Sequence, residues 1–250
     1  MNTDPAHDAV IVGGGVAGLT AGIFTARADL DTLVVTHGES ILRRNAHLEN
    51  FPGFPAGVNS RVFLDMTEAQ AERAGCAFCE GDVTEVVRAG EGFDLSFTEG
   101  ETSAHYVIAA SWSDCEYLSG FDLDFIEQGS KRFVSVDSGN RTGVPGLYAA
   151  GRLAAQYHQT VVSAGDGAQA ALTLIEDSDV PFYHDWVAPE GYFTGRDREV
   201  PPGCEEIDEK ERKRRERESI ETMSEYFAEP HPDEPTMHPS VVERREENED

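Results

Sequence analysis

Gly13, Gly15 and Gly18 stand in the stretch "DAVIVGGGVAGLTAG" at the spacing G-x-G-x-x-G. In a dinucleotide site the first such glycine permits a tight turn and the second lets the backbone approach a pyrophosphate. The third lets a helix pack close to its strand, and the helix N-terminus attracts the phosphate charge. Gly13, Gly14, Gly15, Val16, Ala17 and Gly18 are therefore candidate nucleotide-binding residues, the alternative being a plain glycine-rich turn. Such a site next asks for an acid at the end of the second strand, to hold the adenosine ribose. Thr36 stands there, followed by His37. A threonine hydroxyl can still bond a sugar hydroxyl, but more weakly than a carboxylate. A second turn, "AAGRLAA" at 149–155, closes a buried-strand pattern with Gly151 and Arg152, where nucleotide-binding sheets often carry an acid. Arginine is a donor only and cannot accept a bond from a sugar.

Other chemistries find less support. Cys76 and Cys79 in "CAFC" have redox spacing, but on a strand residues i and i+3 point to opposite faces, so the sulfurs diverge. Cys115 and Cys204 have no neighbour that marks an activated thiolate. The eight histidines are scattered. His184, His231 and His238 lack a second ligand pair at metal spacing, and no metal is expected. No Ser–His–Asp arrangement can be assembled from the pattern.

The elements that position these residues follow from periodicity. Residues 8–28 read as strand, glycine turn and helix, and "DTLVVT" at 31–36 as the next strand, a βαβ opening. A helix covers 62–74. "CAFCEGDVTEVVRA", "GFDLSFTEG" and "AHYVIAAS" alternate as strands, with an antiparallel meander from about 83 to 108. "RFVSVD" and "GLYAAG" are further strands, and 160–177 is a closing helix. The fold class is α/β: one Rossmann-like three-layer domain, a parallel sheet plus the meander, over residues 1–179. Residues 180–204 form an aromatic, Pro/Gly-rich arm packed on the body. Residues 205–250 are a helical, then disordered, acidic extension, with Ile220, Met223 and Phe227 on one helical stripe and about twenty final residues expected to be mobile.

The net charge is −27, with 47 acids against 20 Lys/Arg, and only Lys131, Lys210 and Lys213 are lysines. Residues 1–204 alone carry 30 acids and 12 Lys/Arg, so the charge is not confined to the tail. An acid-rich, lysine-poor surface suits a cytoplasm kept at very high salt, where screening removes self-repulsion; the alternative is an ordinary acidic protein with an acidic tail. The charge argues against nucleic acid as a partner. No apolar run approaches a membrane span, and "MNTDPAHDAV" has no signal-peptide pattern. Four cysteines make no disulfide framework. The expected location is cytoplasmic.

Five stretches together resemble the FAD domain of the low-molecular-weight thioredoxin reductases. They are "DAVIVGGGVAGLTAGIFTARADLDTLVV", "LENFPGFPAGV", "GDVTEV", "RTGVPGLYAAG" and "QTVVSAGDGAQAAL", in order over about residues 8–176. The resemblance implies FAD in extended form along the glycine loop. It puts Asn50 near the flavin ring, the Val83 backbone against the adenine, and Gln159 and Thr160 at a helix start under the pyrimidine edge of the ring. It also implies departures. The family's acid after the second strand is Thr36, and its Gly-Gly-Gln segment becomes a stretch with Arg43 and Arg44. Its Ala-Thr-Gly strand end becomes Ala109-Ala110-Ser111. Its Gly-Asp, whose acid accepts bonds from the ribityl chain, becomes Gly151-Arg152. The family's inserted NADP domain, which carries the redox C-x-x-C, has no counterpart. Only "WSDCEYLSGFDLDFIEQGSK", 112–131, intervenes, too short for one βαβ unit.

Two functions follow. One is an FAD-dependent oxidoreductase-like flavoprotein that exchanges electrons through a separate redox protein, not a thioredoxin reductase by itself, with a homodimer implied by the resemblance. The other is a non-catalytic nucleotide-binding or scaffold protein. The pocket would hold FAD, another nucleotide or none. Arg152 would meet a phosphate if FAD binds, or pair with a protein carboxylate if the site has closed.

Overall fold

Strand β1 (His7–Val12) sends its apolar residues alternately into two cores: Ala9 and Ile11 into one, Val10 and Val12 into the other. The same period-two division recurs in β2 (Thr32–Thr36), where Val34 faces the first core and Leu33 and Val35 the second. A strand apolar on both faces is one buried between layers. The computed structural model describes residues 5–129, 131–238, 240, 241 and 244.

Helix α1 (Val16–Arg27) joins β1 to β2 as the crossover of a parallel pair. Helix α2 (Ser60–Ala74) is capped by the Asn59 side chain, which accepts from Arg61 N, and ends at Gly75 in the left-handed region, φ 114°. The expected single strand "CAFCEGDVTEVVRA" is two. β3 (Ala77–Glu80) runs parallel to β2, and β4 (Val83–Ala89) turns away at Gly81-Asp82 to pair antiparallel with β5 (Gly92–Phe97). At Gly81 a Cβ would stand 2.8 Å from the Phe97 ring, so the break needs glycine.

β6 (Gly100–Ala109) is the hinge of the sheet. One edge pairs with β1 in parallel; the other pairs first with β5, antiparallel, then with β9 (Leu147–Ala149), parallel. The order is β3-β2-β1-β6-β5-β4, with β9 on β6. Strands β2 and β6 flank β1, so the strand order reverses there, where ligands of open α/β sheets bind. One face carries α1, α2 and α3 (Thr160–Asp177); the other carries the meander and the bridge.

The bridge at 112–131 is built. It holds a 3-10 turn (Glu116–Leu118) with Tyr117 and Leu118 buried, then β7 (Phe125–Gln128), which pairs antiparallel with β8 (Lys131–Val134). β7 was not legible in the sequence pattern. Beyond α3, β10 (Trp186–Pro189) and β11 (Cys204–Ile207) form a parallel pair, and Val180 and Phe182 pack on the first core. Arg27 binds Asp185 through two bonds, 2.5 and 2.6 Å.

Helix α4 (Glu209–Tyr226) starts at Asp208, whose side chain accepts from Glu211 N. It starts four residues later than the sequence suggests because β11 takes 204–207. Ile220, Met223 and Phe227 remain 66, 37 and 50% exposed, while Tyr226 packs on the body. In the segment that follows, His231 Nε2 lies 2.9 Å from Asp65 Oδ2. Residues 239, 242–243 and 245–250, part of the stretch expected to be mobile, lie outside the described residues.

Candidate functional site

Every loop that carries a sequence-derived site residue, apart from the one holding Asn50, leaves the same end of the sheet or enters a helix there. The result is a cleft of about 420 Å³ at the carboxyl end of β1 and β6, within the usual range for small-molecule sites. It is lined by Gly13, Gly14, Gly15, Val16 and Ala17 from the β1–α1 turn. Thr36, Val83, Ser111, Arg152, Gln159 and Thr160 join from other elements.

The glycines do separate jobs. Gly13 adopts φ 117°, and a Cβ there would stand 2.6 Å from Ala110 O, so the turn and the close strand passage both exclude a side chain. Gly14 lies against Thr36: a Cβ would come 2.6 Å from Oγ1. Gly15 faces open space, with Ser40 Oγ the nearest atom at 3.8 Å. Gly18 packs inward, since its Cβ would stand 1.9 Å from Gly13 O; it does not line the cleft.

Two helices begin here without a side-chain cap, α1 at Gly15 and α3 at Gln159, and neither has an acid in its first turn. Uncapped first-turn N–H groups with a positive dipole end make an anion site. The cradle of Gly13–Gly18 and these N–H groups fit a pyrophosphate.

The other half of the site departs from an FAD-binding pattern. Gly151 (φ 66°) does not line the cleft; its N–H donates to Asp166 Oδ2 at 2.6 Å. Asp166 also accepts from Asn140 Nδ2 at 3.0 Å, and burial raises its carboxyl above the usual range. This network anchors the turn that carries Arg152 and was not legible in the sequence. Arg152 donates from Nη1 to Gln156 O at 2.9 Å and stacks over Phe133 at 4.4 Å. Among the described residues no carboxylate pairs with it. Ser111 donates to Asp114 O at 2.6 Å and so must accept from Tyr117 O–H at 2.7 Å, which commits its hydroxyl within the bridge. Burial drives the Tyr117 hydroxyl far above its ordinary range. Asn50 stands outside the cleft wall, its Nδ2 donating to Gln159 Oε1 at 2.7 Å.

Sequence reasoning passed over Trp112 and His158, which also line the cleft. Their rings meet edge to face at 4.7 Å. Burial lowers the His158 pKa, aided by Arg152 and Lys131. The position of Trp112, three residues past the end of β6, was the available signal.

The cysteines are free. Cys76 sits in the first core and Cys79 packs against the second, so the sheet separates them, and burial raises the Cys76 thiol to about 11. Among the described residues no cluster of metal-ligating side chains occurs, and no helix is long and apolar enough to cross a membrane.

Residues 8–46 match the family described as FAD binding domain. Thioredoxin reductase of Streptomyces coelicolor is 39% identical over 98 residues, 38% of this chain and 30% of that protein. The bifunctional thioredoxin reductase/thioredoxin of Mycobacterium leprae is 34% identical over 126 residues, 47% of this chain and 28% of that protein. The chain thus spans about a third of the length of the curated relatives it matches. Among solved structures, thioredoxin reductase of Lactococcus lactis superposes with a TM-score of 0.62 at 15% identity, over 68% of this chain and 98% of that one. The atypical thioredoxin reductase of Desulfovibrio vulgaris Hildenborough gives 0.60 at 19%, over 71% and 100%. The body of the chain thus resembles the FAD domain of thioredoxin reductases in sequence and shares the thioredoxin reductase fold.

Proposed function

We propose that the chain binds FAD along this cleft and works as a flavoprotein oxidoreductase that exchanges electrons through a separate redox protein. The observation that carries the reading is the Gly13–Gly18 cradle beneath a helix start that no side chain caps among the described residues, an arrangement that suits a pyrophosphate. FAD, when bound, supplies hydride and electron transfer.

The chain's own residues hold and tune it. The α1 N–H groups and Arg152 neutralise the pyrophosphate. Arginine in place of a ribityl-binding acid replaces a sugar contact by a charge contact. The Arg152 guanidinium is preset for this by Phe133 and the Gln156 carbonyl, and it keeps donors to spare. The start of α3, with Gln159 and Thr160, stabilises negative charge at the ring's pyrimidine edge. Thr36 holds the adenosine ribose as a neutral partner.

The second reading, a non-catalytic nucleotide-binding protein, draws on the committed Ser111 hydroxyl and the missing acids at Thr36 and Arg152. Titrating FAD in molar potassium chloride against wild type, Arg152→Ala and Arg152→Asp separates the two. Phosphate binding predicts that Arg152→Ala loses about 1.5–3 kcal/mol before screening, and that Arg152→Asp loses at least as much. Tighter binding by Arg152→Asp favours a site that has been switched off. Equal affinities in all three refute a role for Arg152.

A further inference from the structure

One wall of the cleft is a stack of side chains that the glycine cradle does not need. Trp112 follows Ser111, lines the cleft, and sits in the left-handed backbone region at φ 65°. A bulky residue persists there only where its surroundings over-determine it, and such outliers gather at ligand sites. The surroundings are visible: His158 meets the indole edge to face at 4.7 Å and 70°, and Lys131 Nζ stands 5.2 Å over the ring. His158 immediately precedes Gln159, which is held by Asn50. The indole therefore stands at the Asn50–Gln159 end of the cleft, the end that the FAD reading gives to the isoalloxazine. The chain's other tryptophan, Trp186, is packed in the arm against Tyr192 and Phe193.

We propose that Trp112, braced by His158 and Lys131, is the stacking wall for the isoalloxazine ring of bound FAD. The inference rests on the FAD reading. It assigns a role to the bridge, because the residue that opens 112–131 supplies a planar apolar face where a large polar ring system needs one. The cation over one face of the indole, with the histidine ring set edge to face against it, fixes its plane in advance, so little order is lost when the flavin docks. An indole in contact with a flavin has an optical signature. An excited flavin takes one electron from the indole and returns it, with no net chemistry and loss of emission.

The test compares flavin emission and flavin content in wild type, Trp112→Phe and Trp112→Leu after loading with FAD in molar potassium chloride and gel filtration. Phenylalanine keeps a planar ring but is a poor electron donor, which guards against a variant that merely fails to fold. The wild-type complex should emit weakly, and both variants should emit several-fold more per bound flavin. Affinity should fall more in Trp112→Leu than in Trp112→Phe. Equal emission per bound flavin in all three overturns the stacking wall and leaves the FAD reading standing. Failure of the wild type and both variants to retain flavin overturns both.

Discussion

Gly167 has no side chain to offer the cleft, yet the shape of the site depends on it. A Cβ there would stand 2.0 Å from Ala17 O, because α3 crosses α1 at that point with backbones in contact. Gly167→Ala must therefore push α3 away from the turn that cradles the phosphate. The expected cost is about 1–3 kcal/mol, the range for overpacking a filled site, with weaker FAD binding because α1 and α3 both start at the cleft. Gly165 on the same helix has nothing within 4 Å, so Gly165→Ala should leave stability unchanged or raise it by up to about 1 kcal/mol. Denaturation midpoints of the two variants in molar salt check this, and equal midpoints would contradict the crossing. The contrast also shows what a sequence can and cannot reveal. Gly13 and Gly18 were legible because their spacing forms a motif within one strand–turn–helix unit, although the neighbour that excludes a side chain at Gly13 is Ala110 beyond β6. Gly167, Asp166 and the Trp112–His158 pair were not, because their partners come from elements far along the chain.

At the scale of elements, the bridge decides what the flavin site can do. Its 3-10 turn and hairpin pack into the second core and leave no room for a nicotinamide-binding unit between β6 and β8. Bleaching of bound flavin by NADPH alone should therefore be slow in single-turnover absorbance. Thioredoxin reduction should also fail, since Cys76 and Cys79 lie on opposite sides of the sheet. Rapid bleaching without a partner would refute this. The arm has its own lock. Glu206 on β11 accepts from Gly191 N at 3.1 Å, Thr194 N at 3.0 Å, Thr194 Oγ1 at 2.8 Å, and from Phe193 N. Loss of solvation opposes the charge, but these donors outweigh it and hold the carboxyl at about 2 against an ordinary 4.5. A depressed carboxyl contributes stability above its unfolded value and loses it on acidification, here between about 4.5 and 2. Glu206→Gln should flatten acid opening of the arm across that window. Trp186, edge to face with Tyr192 at 4.6 Å, reports it by fluorescence in a Trp112→Phe background. An unchanged acid profile would contradict the lock.

At the scale of the whole molecule, the sheet was legible because its central strands β1, β2 and β6 are apolar on both faces and the opening motif sets the first crossover. The strand pair within the aromatic arm was not, because β10 and β11 are short and exposed along much of their length. Composition carries a further expectation that the fold does not. The 30 acids and 12 Lys/Arg of residues 1–204 cannot all pair. Many of the described ion pairs lie instead on α4 and its neighbours, among them Arg214 with Glu211 and Glu218, and Arg215 with Glu205 and Glu211. Exposed pairs of this kind contribute little each and weaken further with salt. Repulsion among the surplus carboxylates is then the larger electrostatic effect, and its reach shrinks from about 10 Å at 0.1 M salt to about 3 Å at 1 M. We propose that the chain folds for high salt, so its melting temperature should rise steeply between low and molar potassium chloride. The shape of the rise separates two causes. Screening levels off once the Debye length falls below the spacing of neighbouring carboxylates, whereas general salting-out of apolar surface, which strengthens burial of the core, continues to climb with concentration. A curve that climbs and then flattens supports screening of the acidic surface. A curve that is flat from the start refutes the high-salt assignment, and the charge is then an ordinary solvated surface with an acidic tail.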